Sequence, residues 1–157
     1  MRVRRGVPTD AEALLRLERG TPECAHWSHT EYERILAGSD TDAVRRWVSV
    51  AEDDGRLMGF IVVKVLESCG ERTAEIENIA VDETERRQGV GGDLCKTALA
   101  ELADAGVVVV ELEVREGNRA AAELYGRVGF RMVGRRKGYY AEPQEDAVLM
   151  RLDLRVV

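Results

Sequence analysis

The chain has 157 residues, 45% of them hydrophobic and 33% charged, with a formal net charge of −6. That size suits a single domain over 1–157 with its own core, and the balance is globular rather than disordered or fibrous. The acidic total disfavours sequence-independent nucleic-acid binding and suits a basic protein or peptide partner.

No apolar run nears the ~18 residues of a membrane span, and the N-terminus lacks an apolar signal core. A cytoplasmic location with no membrane association is therefore expected. Cys24, Cys69 and Cys95 form no C-x-x-C pair, which indicates reduced thiols and neither disulfide nor metal site.

In chain order, strand and helix patterns alternate without linker or repeat. Arg2 to Val7 reads as a strand closed by Pro8. Thr9 or Asp10 caps a helix with Ala11, Ala13, Leu14 and Leu15 on its apolar side. Ser28-His29-Thr30-Glu31 has the form of a capping box for a short helix reaching Leu36. His26 and His29 straddle that cap and complete no ligand spacing, so both read as surface residues. Val44 to Glu52 and Leu57 to Leu66 are strands around the turn signal Asp53-Asp54-Gly55. Thr73 to Val81 is a fourth strand, and Gly89 to about Ala105 is a central helix with Leu94, Ala98, Leu99 and Leu102 on one face. Val107 to Val114 begins as an apolar run and then turns charged, as a buried strand reaching a cleft would. Asn118 caps a helix that runs through Val128 and ends at Gly129. Phe130 to Arg136 and Ala147 to Leu154 form a closing antiparallel pair, and Arg135-Arg136-Lys137 reads as a solvated turn. Strand, helix and strand around the central helix imply a right-handed parallel crossover, hence an α/β fold on a mixed sheet.

The densest signal is Arg86-Arg87-Gln88-Gly89-Val90-Gly91-Gly92, where the fourth strand feeds the central helix. Helix N-terminal N–H groups lack intrahelical partners and the dipole favours anions there, so a pyrophosphate is the expected guest. A P-loop is excluded because Asp93-Leu94 follows the glycines, and a dinucleotide fingerprint because Leu94 stands where a third glycine is needed. What remains is Arg/Gln-x-x-Gly-x-Gly/Ala, filled by Arg86, Gly89 and Gly91. The competing reading is a glycine-rich turn capping an ordinary helix.

This hexapeptide resembles the pyrophosphate loop of the GNAT acyltransferases. The resemblance continues through Asn78-Ile79-Ala80-Val81-Asp82, Leu112-Glu113-Val114-Arg115, Asn118-Arg119-Ala120-Ala121, Leu124-Tyr125, Gly129-Phe130, Tyr139-Tyr140 and Glu145-Asp146-Ala147. Within GNAT enzymes it is similar to the bacterial ribosomal-protein alanine N-acetyltransferases. The chain departs from that pattern at Glu77, Gly117 and Gln144.

The resemblance implies a GNAT fold and transfer of acetyl from acetyl-CoA, without metal, to a primary amine. The implied acceptor is the N-terminal α-amine of a small-subunit ribosomal protein. It places coenzyme A on the backbone of Ile79, Ala80 and Val81, on Arg86 through Gly92, and near Asn118. Alternatives are a lysine or small-molecule acceptor, or a non-catalytic acyl-CoA-binding regulator.

Such chemistry needs a base for the ammonium and an acid for the leaving thiolate. Glu75, Glu77, Glu111 and Glu113 are candidate bases, with Glu111 and Glu113 on one strand face; the resemblance nominates Glu113. It likewise nominates Tyr125 as the acid, a phenol that donates while neutral at rest. Trp27, Tyr139 and Tyr140 are the expected acceptor wall. Trp27 reads equally as a hydrophobic staple for the helix after Ser28. No covalent nucleophile is nominated, since Cys95 has no evident base partner.

Overall fold

The computed structural model describes residues 1–156 apart from Ser39 and Asp42. In chain order it contains β1 (Arg2–Arg5), α1 (Ala11–Arg19), α2 (His29–Leu36), β2 (Val44–Asp53), β3 (Arg56–Ser68) and β4 (Glu71–Val81). Then follow α3 (Val90–Asp104), β5 (Val107–Arg115), α4 (Arg119–Arg127), β6 (Arg131–Tyr140) and β7 (Glu145–Asp153). The strands form one seven-stranded sheet in the order β1-β2-β3-β4-β5-β7-β6. Among the described residues only the β4–β5 pair is parallel, as a strand–helix–strand crossover requires. The fold class is thus the expected α/β mixed sheet. Among the described residues no helix is long and apolar enough to cross a membrane.

Helices cover both faces. On one, Leu14, Leu17, Tyr32 and Ile35 of α1 and α2 pack against Val48, Val50, Phe60 and Val62. On the other, Val90, Leu94, Cys95, Ala98 and Leu102 of α3 and Tyr125 of α4 pack against Ile61, Val63, Ile76, Val110 and Leu112. Burying each leucine of the α3 stripe contributes about 1.5–3 kcal/mol. The close seat of α3 depends on Gly59 of β3. A Cβ there would stand 2.8 Å from the Ala80 carbonyl oxygen, 3.2 Å from Leu94 Cδ1 and 3.3 Å from Val90 Cγ1.

Several elements differ from the sequence expectation for identifiable reasons. On α1, Leu17 is buried while Leu15 is only half-buried, and Glu18 occupies the core side instead. Ser28 caps α2 by accepting from the Glu31 N–H, but the Glu31 carboxylate pairs with Arg34 and Arg46 instead of closing the box. β3 and β4 extend further than their apolar runs, through Glu67 opposite Arg72, because an ion pair of 3.1 Å supports the exposed end of the hairpin. Arg135-Arg136-Lys137 lies within β6 and is not a turn. The strand continues there because Arg135 meets Glu116 and Asp146, and Arg136 meets Glu113.

Two irregularities shape the centre of the sheet. In β4, Asn78 pairs with Val62 and Ile76 with Val63, leaving Glu77 as an extra residue. The bulge reverses the alternation. Ala74 and Ile76 pack on the α3 side before it, Ile79 and Val81 on that same side after it, and Ala80 joins the α1–α2 core. Secondly, the β4–β5 ladder ends at Glu75 opposite Glu111. Beyond that rung β4 pairs only with β3 and β5 only with β7.

Gly59→Ala is expected to lower stability by about 1–3 kcal/mol, the cost of overpacking a tight contact. Urea denaturation should show a lower midpoint with an unchanged slope. An unshifted midpoint would mean that α3 can ride off the sheet freely.

Candidate active site

The opening between β4 and β5 collects most of the residues singled out in the sequence. Ile79, Ala80 and Val81 lie on the part of β4 whose β5-facing edge has no strand partner. Glu113 lies on the matching part of β5, and its side chain is 23% exposed. Because Val110, Leu112 and Val114 turn towards α3, Glu111 and Glu113 face the α1–α2 side of the sheet.

The loop after β4 is braced before it reaches α3. Asp82 accepts from the Thr84 N–H, and Arg56 ties Asp82 and Glu85 to the β2–β3 hairpin at 3.0 and 2.9 Å. Gln88 Nε2 donates to the Thr84 carbonyl at 3.1 Å. Arg87 is exposed with φ 64° and Gly89, the N-cap of α3, has φ 86°, a left-handed conformation that glycine adopts at no steric cost. No side chain caps α3, so the N–H groups of Val90, Gly91 and Gly92 have no partner within the helix. Val90 itself is buried core. Gly91 has a packing role as well: a Cβ would stand 3.0 Å from Leu124 Cδ2 of α4.

Arg86 departs from the expectation of a charge at the loop mouth. Its Nε donates to the Val81 carbonyl at 3.2 Å, and its Nη2 to the Gly20 carbonyl at 2.8 Å and to Thr21 Oγ1 at 3.3 Å. The guanidinium is therefore engaged with the α1–α2 loop.

Asn118 caps α4 by accepting from the Ala121 N–H at 3.2 Å. Further along α4, Tyr125 is 5% exposed, with its ring edge-on to Phe130 at 5.7 Å. Its hydroxyl has no hydrogen-bond partner among the described residues, and it is not wholly sealed from solvent. Burial, with smaller effects of Cys95 and Tyr140, raises its phenol well above the ordinary value. Burial first and the Glu113 charge second raise the Tyr140 phenol too. Tyr139 and Tyr140 stack edge to face at 5.1 Å, under the guanidinium groups of Arg136 and Arg115. Tyr139 is 51% exposed.

Three of the four candidate carboxylates face an arginine. Glu113 meets Arg136 at 3.2 Å, Glu111 meets Arg151 at 3.4 Å, and Glu77 meets Arg46 at 2.7 Å. Glu75 has no ion pair of this kind among the described residues. It is raised above the usual carboxylate range by burial, then by Glu77, Glu113 and Glu111, against the opposing effect of Lys64.

Trp27 acts as the staple. It precedes the α2 cap and packs on Tyr32 at 5.6 Å, the N′-to-N4 contact of that motif. It is also half-buried, with Arg46 5.2 Å from its ring, so it reaches the group that holds Glu77. His26 is exposed, and His29 is exposed with Glu33 at 2.9 Å.

One polar cluster was not assigned a role from the sequence. Buried Glu18 accepts from the Trp27 N–H at 2.6 Å and from the Tyr32 hydroxyl at 2.8 Å. Asn78 brackets Ala25, accepting from its N–H at 3.2 Å and donating to its carbonyl at 3.0 Å. The available signal was Glu18 itself, seven residues after Ala11 and four after Leu14 on an otherwise apolar stripe. Asn78 gave none, because the bulge that turns it to this side cannot be read locally.

The family comparison is consistent with this geometry. Residues 11–130 match the model of the Acetyltransferase (GNAT) family. The [Ribosomal protein bS18]-alanine N-acetyltransferase of Salmonella typhimurium is 38% identical over 103 residues, 64% of this chain and 67% of that protein. The N-alpha-acetyltransferase RimI of Mycobacterium tuberculosis is 35% identical over 127 residues, 81% of this chain and 75% of its own. The crystal structure of the ribosomal-protein-S18-alanine N-acetyltransferase from Escherichia coli superposes with a TM-score of 0.76 at 27% identity, covering 98% of this chain and 93% of that one. The sheet, the glycine loop and the matched span lead to one conclusion: this chain belongs to the GNAT acetyltransferase family.

Proposed function

We propose that the 157 residues act as one cytoplasmic acetyltransferase domain that moves acetyl from acetyl-CoA to the N-terminal α-amine of a protein. The small-subunit ribosomal protein acetylated by the Salmonella relative supplies the model acceptor. One juxtaposition carries the reading. The uncapped α3 N-terminus touches α4 at Leu124, beside Tyr125 with its unpartnered hydroxyl, where β4 offers an open edge.

The donor fits this arrangement. Its pyrophosphate takes the N–H groups of Gly89 through Gly92, with Arg87 and Gln88 at the rim. Its pantetheine amides pair as an extra strand with Ile79 to Val81, and Asn118 reaches the same arm with the amide that its cap leaves over. Trp27, Tyr139 and Tyr140 hold the acceptor terminus.

The amine, with a free pKa near 8, first passes a proton to Glu113, directly or through water. The half-exposed Arg136 yields its place to the incoming ammonium. The neutral nitrogen attacks the thioester carbonyl carbon, the C–S bond breaks, and the thiolate takes the Tyr125 proton. The raised phenol remains neutral and protonated at neutral pH until the thiolate develops. The attacking nitrogen then loses its surplus proton, which restores the Tyr125 phenol through water, while Glu113 passes the first proton to solvent. Glu75, raised and free of an arginine, favours a second reading in which it receives the first proton.

Direct attack requires no cysteine nucleophile. Burial pushes the Cys95 thiol up to about 12, and burial with the Glu18 and Glu23 charges does the same for Cys24, whereas Cys69 is exposed. Brief iodoacetamide treatment at pH 8 should add one label to the native chain, at Cys69, and three after unfolding. Fast native labelling of Cys95 would reopen an acyl-enzyme route.

Gly92→Asp tests the donor site. Carboxylates stabilise helix N-termini and a Cβ there meets only Leu124 at 4.0 Å, so the melting temperature should hold or rise. Coenzyme A affinity measured by calorimetry should fall at least tenfold, and an unchanged affinity would remove the phosphate assignment.

Glu113→Gln should slow turnover by roughly a hundred- to ten-thousandfold at neutral pH, less at high pH. If Glu75→Gln carries that deficit instead, the second reading holds. Tyr125→Phe should lower kcat and kcat/KM together with KM nearly constant. Mass spectrometry of a ribosomal-protein mixture with labelled acetyl-CoA identifies the acceptor. Label on lysine side chains alone would defeat the α-amine assignment.

A further inference from the structure

The α1–α2 loop, residues 20–28, is held by side chains that reach its backbone from elsewhere. Arg86 donates to the Gly20 carbonyl and Thr21 Oγ1, Asn78 brackets Ala25 from both sides, and Glu18 accepts from the Trp27 N–H. Gly20 ends α1, so its carbonyl is one of the acceptors that a helix leaves unpaired at its negative end, where a cation is favoured. Two of these three holders come from one stretch of chain, residues 78–86. Between them lie Ile79, Ala80 and Val81, and Arg86 also returns to the Val81 carbonyl. The strand that offers the donor its open edge, through Asn78, and the loop that follows it, through Arg86, therefore grip the loop carrying Trp27 at two points.

We infer that Arg86 is a positioning residue that fixes the Trp27 loop to the donor strand, and not a ligand of the donor phosphates. The inference rests on the proposed coenzyme A site. Ordering of residues 79–92 by the donor is transmitted through Arg86 to residues 20–27, and the acceptor wall is set when the donor is bound. Linkage makes the effect reciprocal: an acceptor that orders the loop tightens the donor by the same factor. Three donor contacts to two backbone carbonyls and one hydroxyl need the planar fork of a guanidinium, which an ammonium cannot reproduce.

The test combines coenzyme A titration, hydrogen exchange and steady-state kinetics on Arg86→Ala and Arg86→Lys. In the wild-type chain, coenzyme A should protect amides in both 87–92 and 20–27. In Arg86→Ala it should still bind within threefold of wild type and protect 87–92, while protection of 20–27 disappears and acceptor KM rises tenfold or more. Arg86→Lys should fail to restore the loop although it keeps the charge. A tenfold loss of coenzyme A affinity in Arg86→Ala that lysine repairs would overturn the inference in favour of a phosphate contact. Wild-type protection confined to 87–92 would also overturn it while leaving the donor site standing. Absence of any coenzyme A binding would remove the donor reading and this inference with it.

Discussion

The parting of β4 from β5 after the Glu75–Glu111 rung is the constraint on which the site depends. Each strand keeps its outer neighbour, β3 or β7, so the sheet stays continuous around the wedge. The inner edges beyond the rung carry backbone N–H and C=O groups that need partners. A chain of amides laid between the strands supplies them, and this is why an extended donor arm suits the gap better than a compact ligand. The wedge also opens a path between the two faces of the sheet. Carboxylates of β4 and β5 approach it from the α1–α2 side, and Tyr125 approaches from the side of α3 and α4. The carboxylates and the Tyr125 phenol are thus kept on opposite faces of the sheet.

Rigidity around the wedge is built from arginines directed at main-chain or carboxylate oxygens. Arg56 and Arg86 brace the glycine loop from two directions, Arg46 joins α2 to β4, and Arg115 with Glu145 closes the β6–β7 end. Individually such exposed pairs contribute little stability. Their value lies in limiting the positions available to loops that must meet two substrates. Trp27 belongs to the same scheme, because one face staples α2 while the ring remains within reach of the Arg46–Glu77 pair.

Much of this was legible in the sequence where the signal was local. The α3 stripe, the Asn118 cap, the Asp54-Gly55 turn and the glycine loop each depend on residues within a few positions, and each fell where expected. The partners of those residues were not legible. Arg86 finds Gly20 across 66 positions and Asn78 finds Ala25 across 53, distances at which periodicity carries no information. The strand through Arg135 and Arg136 was hidden for a related reason. Its polarity reflects carboxylates supplied by β5, the loop after it and β7, and not open solvent. Glu113 was visible as a strand-end carboxylate, but its pairing with Arg136 was not.

The extra residue in β4 has a consequence for how sequences of this fold are compared. Odd and even positions exchange sides at Glu77, so strand alternation counted from Thr73 gives the wrong address for everything from Asn78 onward. Without the bulge the same sequence would present its asparagine amide to the α3 core, where a bracketed peptide group is replaced by hydrocarbon, whereas a chain lacking Glu77 would keep the asparagine on the loop side. Gaps placed in this strand therefore decide which side chains are judged equivalent. An alignment that moves the insertion from Glu77 to Asn78 sets Glu77 in the place of the loop anchor without altering the apparent similarity.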